Sequence, residues 1–289
     1  MSNSVARAVY AVAGLCLLLS AAPGVRAQQT PVREITPIAG DLYRFRNNFH
    51  YSVLLVTRDG VIVTDPIDAD AAKWLKAEIA RRFDAPIKYL VYSHDHADHI
   101  AGGEVFGDTG VVVAHEKAKR QIIGERRPTA VPEITFSDRM EIELGGKRVE
   151  LIYLGLNHSD NTIVMRFPQE RALFAVDIVA RNRLPYRDFP NAYIDQWIDA
   201  LKQIETMDFD ILAPGHGELG TKADVTAHRQ YIETLRAQVL EHMRAGRSLD
   251  EIKRLVTLDA YRDWGSYADW RELNVEGMYR YLQQVRRPN

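Results

Sequence analysis

The sequence predicts an α/β fold that carries a C-terminal helical extension. Three observations predict it. Short β-rich runs and helical stretches share the first 220 or so residues, and from Val225 onward the pattern is helical throughout. Within the first part, the densest histidine cluster stands where an apolar run ends. The 289 residues are 46% hydrophobic with a formal net charge of −2. That is enough apolar mass for a sizeable core, without the basic excess of a nucleic-acid binder.

The N-terminus reads as a targeting segment. Arg7 is a positive start, Ala8 to Ala22 is apolar around Leu15-Cys16-Leu17-Leu18-Leu19, and Val25-Arg26-Ala27 fits a small-x-small cleavage site. This predicts a signal peptide over residues 1–27 and a periplasmic or secreted protein. The run is too short to span a bilayer comfortably, and no later segment is apolar enough, so no membrane contact is expected after cleavage. Cys16 is the single cysteine. The mature chain then has no disulfide and no thiolate to serve as ligand or nucleophile.

The elements follow in order. A polar lead runs from Gln28 to Gly40, and Leu42 to Phe45 is a short aromatic run. Ser52 to Val56 and Val61 to Thr64 are strands joined by the turn signal Asp59-Gly60. Asp68 or Asp70 caps a helix through Trp74, Leu75, Ile79 and Phe83. Ile87 to Tyr92 is a strand, a helix is expected near Gly103, and Gly110 to Ala114 is another strand. Val149 to Leu154, Thr162 to Phe167 and Ala172 to Val176 continue the strands, with a helix over Ile194 to Ile204 and a short strand at Asp210 to Leu212. Val225, Ile232, Leu235, Val239 and Met243 share one helical face, Ser248 and Glu251 form a capping box, and Trp270 to Val285 carries a last stripe. With no linker or repeat, residues 28–221 are expected to form one body and 222–289 a helical extension packed on it.

The chemistry concentrates in Ser93-His94-Asp95-His96-Ala97-Asp98-His99. His94 and His96 alternate, so as extended residues they point the same way. Asp98 and His99 come from the turn and can face a second point. Imidazole with carboxylate suits zinc and, less selectively, iron, manganese or cobalt. Three more candidates stand at strand ends: His158, Asp177 and His216, the last between Gly215 and Gly217. Together they hold five of the nine histidines. His115, His228 and His242 read as structural or surface groups.

These motifs resemble the metallo-β-lactamase superfamily. His94-Asp95-His96-Ala97-Asp98-His99 is similar to its H-x-H-x-D-H signature. Asp65 matches the supporting Asp of its first motif, and His158, Asp177 and His216 match the third to fifth motifs in order. The resemblance covers roughly residues 35–220. It implies an αββα sandwich and two metal ions, with zinc as the expected metal and iron or manganese as alternatives. His94, His96 and His158 would hold one ion, Asp98, His99 and His216 the other, and Asp177 would bridge them. Asp98 would also orient a metal-bound hydroxide as the catalytic residue.

The expected activity is hydrolysis of a small-molecule ester, lactone, thioester or cyclic amide. The bridging Asp177 is similar to glyoxalase II and lactonases, whereas zinc β-lactamases commonly have Cys or Ser there. Asn157 and Thr162 depart from the glyoxalase II pattern. The alternatives are a β-lactamase and a mononuclear iron sulfur dioxygenase on the same scaffold. Substrate contacts are expected from the loop around His50, from Asn161, and from Arg181, Arg183 and Tyr186 after Asp177; arginines beside a metal site suit an anionic substrate. No motif sets an oligomeric state.

Overall fold

A computed structural model describes residues 30–285. The segment read as a signal peptide lies outside the described residues. Two sheets stack face to face. The first has seven strands in the order β1 (Arg33–Ala39), β2 (Leu42–Asn47), β3 (His50–Thr57), β4 (Gly60–Thr64), β5 (Ile87–Val91), β6 (Val111–His115) and β7 (Ile134–Phe136). Pairing is antiparallel from β1 to β4 and parallel from β4 to β7. The second sheet runs β12 (Ile211–Ala213), β11 (Ala172–Phe174), β10 (Ile163–Phe167), β9 (Lys147–Tyr153) and β8 (Arg139–Leu144). Only β11 and β12 are parallel there.

The two-residue period of the strands builds the layers. In β4, Ile62 packs with Val53, Leu55, Leu151 and Met165 between the sheets. Its neighbours Val61 and Val63 face the other way, with Leu75 and Ile79 of α1 (Ala69–Phe83). The outer face of the second sheet, through Ile152, Val164 and Leu173, packs with α4 (Ile194–Thr206) and with the C-terminal helices. Helix, sheet, sheet, helix is the layer order that the family resemblance implies.

The remaining helices are α2 (Ala97–Ile100), α3 (Glu116–Gly124), α5 (Lys222–Arg244), α6 (Leu249–Leu255) and α7 (Tyr267–Val285). Asp68, rather than Asp70, caps α1 by accepting from the Ala71 N–H at 2.7 Å. The expected helix near Gly103 is a single 3₁₀ turn over Gly103–Phe106. The polar lead contains strand β1, whose alternation is hidden because an edge strand buries little besides Ile35. Strands β7 and β8 and helix α3 were also not anticipated; β8 pairs with the expected strand β9, and Gly145 and Gly146, both at positive φ, form the hairpin turn. No described helix is long and apolar enough to cross a membrane.

Candidate metal centre

The centre is assembled at the ends of strands. β4 runs into Asp65, which is fully buried and has a left-handed φ of +25°. Its carboxylate accepts the Ser93 N–H at 2.8 Å and the Ser93 hydroxyl at 2.6 Å. That hydroxyl also lies 2.9 Å from His94 Nδ1. Since Ser93 gives its single proton to Asp65, its oxygen can only accept from His94, which sets the proton on Nδ1. His94 Nε2 is then a bare lone pair, fully buried and without a hydrogen-bond partner. A cation satisfies such an atom, so the donor set fits a metal.

Two donor sets converge. His94, His96, His158 and Asp177 each place a ligand atom within 4.8 Å of the others, and so do Asp98, His99, Asp177 and His216. His96 Nδ1 is 3.2 Å from His158 Nε2. His99 Nε2 is 3.2 Å from both His216 Nε2 and Asp177 Oδ2. Asp177 belongs to both sets: Oδ2 lies 3.7 Å from His94 Nε2 and Oδ1 lies 3.2 Å from His216 Nε2. Asp177 follows β11 with a φ of +53°, which turns its side chain off the sheet end. A Cβ on Gly215 would lie 2.6 Å from Val176 Cγ1 and 2.9 Å from His99 Cε1, so glycine is needed there for close approach.

The electrostatics divide the rings. Burial lowers His158 to about 4. Burial, together with the neighbouring His96 and His99, holds His94 well below the ordinary imidazole value. At His216 burial opposes protonation, but the Asp177 carboxylate outweighs it and raises the ring to about 9. The same balance raises His99. Burial pushes the Asp177 and Asp98 carboxyls up. The charges of His99 and His216 overcome this at Asp177, and the His216 and His50 rings with His99 overcome it at Asp98, so both sit well below the usual carboxylate range. Without metal, the centre is thus a cluster of opposite charges beside neutral buried rings.

A cavity of about 620 Å³ opens on both donor sets. His50, Arg183 and Tyr186 line it. His50 Nε2 is 3.4 Å from Asp98 Oδ2, and its ring centroid is 4.7 Å from that of His216. Asn161 and Arg181 are placed elsewhere. Asn161 is buried and held by Asp95, accepting from its N–H and donating to its carboxylate at 2.8 Å. Arg181 donates to Asp224 of α5 at 3.2 Å. Sequence reasoning did not single out Trp270 of α7, which joins the cavity wall. Its helical stripe marked it for packing, and nothing local marked it as a site residue. Two of the histidines read as structural are buried. His115 stacks on Tyr153, and His228, fully buried, packs near Trp197 at 5.7 Å.

Comparison with known proteins agrees with this geometry. The sequence model of the metallo-beta-lactamase superfamily matches residues 46–216. The 2,4-dinitroanisole O-demethylase subunit alpha of Nocardioides sp. is 26% identical over 225 residues, covering 76% of this chain and 68% of that one. A hydroxyacylglutathione hydrolase of Francisella tularensis subsp. novicida is 29% identical over 204 residues, covering 68% and 77%. The type 2 metallo-beta-lactamase of Bacillus cereus is 23% identical over 174 residues, covering 59% and 68%. In fold, the chain is similar to a metallo-beta-lactamase from Pontibacter korlensis, with a TM-score of 0.62 and 20% identity over 70% of this chain and 99% of that one. The chain belongs to the metallo-beta-lactamase superfamily and is a metal-dependent hydrolase.

Proposed function

We propose that the chain is a two-metal, zinc-dependent hydrolase of a carbonyl compound: an ester, lactone, thioester or cyclic amide. The sharing of Asp177 between two adjacent donor sets carries the reading, because a single carboxylate within 3.7 Å of His94 in one set and 3.2 Å of His99 and His216 in the other suits a pair of ions. Five imidazoles and two carboxylates without a thiolate suit zinc, with iron or manganese as weaker fits. When bound, such a pair lowers the pKa of water toward neutrality and polarises the carbonyl under attack.

The protein's own groups do the rest. His94, His96 and His158 would hold one ion; Asp98, His99 and His216 the other. Asp65 fixes Ser93 and, through it, the His94 ring. Asp98 is half exposed toward the cavity and held as a carboxylate, so it is placed to accept a hydrogen bond from the attacking water and orient it. His50 Nε2, 3.4 Å from Asp98 Oδ2, helps hold that carboxylate in place. Trp197 backs His158 edge-on, with ring centroids 5.5 Å apart, and keeps water from that side. On its N-terminal sequence the protein works in a periplasm or outside the cell on a small molecule.

β-Lactam hydrolysis is the second reading, favoured by the likeness to the Bacillus cereus enzyme. The test is a panel of phenyl ester, lactone, thioester and chromogenic cephalosporin, offered to the purified chain with His96→Ala as control. We expect about two zinc ions per chain by elemental analysis. One carbonyl class should turn over with kcat/KM above about 10⁴ M⁻¹s⁻¹. Cephalosporin opening as the fastest reaction would move the assignment to the second reading. One iron per chain, with oxygen uptake on a persulfide and no hydrolysis, would overturn both.

A further inference from the structure

The rest of the cavity wall is built differently from the metal centre. It is mostly apolar, with Phe49, Val179, Leu184, Tyr186 and Trp270 on it, and it carries one cation, Arg183. Trp270 comes from α7, outside the part of the chain that matches the family. The C-terminal helices therefore complete the substrate cavity.

Arg183 is held in place and left uncompensated. Its guanidinium lies over the Trp270 ring, 4.6 Å from the centroid, and its Nε donates to Ser266 Oγ at 3.2 Å. Tyr186 meets the same Trp270 ring edge-on at 5.2 Å. The backbone is tied as well: Leu184 N–H donates to Gly265 O at 3.0 Å, and Gly265 N–H to Asn182 O at 2.8 Å. No described carboxylate lies within ion-pair distance of Arg183, whereas Arg181, two residues earlier, is paired with Asp224. A guanidinium held over an indole, with its Nε engaged, leaves its two outer nitrogens free to donate to a ligand in the cavity that Arg183 lines. A fixed, unpaired cation in an apolar wall selects an anion, because an ordered donor loses little freedom on binding and apolar surroundings strengthen the contact.

We propose that the site takes carbonyl substrates with an apolar body and an anionic group at the end remote from the scissile carbonyl. Trp270 and Tyr186 receive the body, and the outer nitrogens of Arg183 grip the anion. At about 620 Å³ the cavity has room for such a molecule and falls within the usual range for small-molecule sites. The reaction itself rests on the hydrolase reading above; the grip does not.

The test has two arms. In the first, monophenyl esters of succinate, glutarate and adipate are compared with phenyl esters of the neutral fatty acids of the same length. The acidic ester should be preferred at least tenfold in kcat/KM for one length, mainly through KM. That ratio should fall to about one in Arg183→Gln and be partly restored in Arg183→Lys. In the second arm, calorimetry on the metal-loaded chain compares N-phenylglutaramic acid with N-phenylbutanamide, which report binding without ester cleavage. The acid should bind about 10- to 100-fold more tightly, as a charge-assisted hydrogen bond allows, and lose that advantage in Arg183→Gln. Trp270→Ala should weaken both anilides. If no ester turns over but the calorimetric preference holds, the hydrolase reading fails and the anion grip stands. If the acid and the neutral anilide bind equally, or Arg183→Gln keeps the preference, the grip is overturned whatever the esters do.

Discussion

Gly277 of α7 passes so close to Asp188 that a Cβ built on it would lie 2.2 Å from the Asp188 carbonyl oxygen. Three residues earlier, Asn274 donates to Pro185 O at 3.0 Å and accepts from the Tyr231 hydroxyl at 2.6 Å. The loop that follows Asp177 is thus sewn to the C-terminal helix.

Gly277→Ala tests that seam. Alanine is the better helix former by about 1 kcal/mol, so a free helix would gain. Here the obstacle is backbone, which cannot swing aside, and overpacking of this kind costs roughly 1–3 kcal/mol. We expect a net loss of stability in thermal melts. An unchanged or raised melting temperature would mean the loop yields freely.

Asp177→Ala removes the carboxylate common to both donor sets. The purified variant should lose about one equivalent of metal by elemental analysis, and its hydrolysis should fall at least about a hundredfold, as expected when a metal-bridging group is lost. Full metal content in the variant would sink the bridging role.

Asp65→Asn keeps the shape of the buried site but changes its proton logic. The amide can no longer accept from both the Ser93 N–H and hydroxyl while facing His99 Nδ1 at 3.5 Å. The rings of His94 and His99 lose their fixed orientation, and metal affinity should drop about 10- to 100-fold in competition with a chelator.

Removing the metal should expose a stability optimum in pH. His216 sits at about 9 against an ordinary 6.5. The stability from its raised value is fully present below 6.5 and is lost as pH rises toward 9. His158 and His228 are lowered by burial, to about 4 and about 3. Folding is penalised as these rings are forced to charge, so their contribution is lost as pH falls from 6.5 through those values. The chelated chain should therefore melt highest near pH 6.5 and lower on both sides. Metal loading should raise the melting temperature most on the alkaline side, where the ligating rings are already deprotonated. A melting temperature that rises steadily to pH 9 without metal would contradict the Asp177–His216 pairing.

Much of this was legible along the chain. The β-rich runs of β3, β4 and β10, a helix cap at Asp68 or Asp70, the Ser248–Glu251 box and the ligand types at 94 to 99 are local features, and local features are written in neighbouring residues. The likeness of spaced motifs then extended the reading to His158, Asp177 and His216. The three-dimensional structure decided what depends on distance across the sequence. Asp177 and His216 stand 39 positions apart, yet their ligand atoms lie 3.2 Å apart because β11 and β12 pair in parallel and end together. The same closure took Arg181 out of the cavity and gave it to Asp224, left Arg183 without a carboxylate, and brought Trp270 from the last helix onto the wall. Sequence patterns report which face of an element is buried; which partner that face meets is settled only when the layers pack.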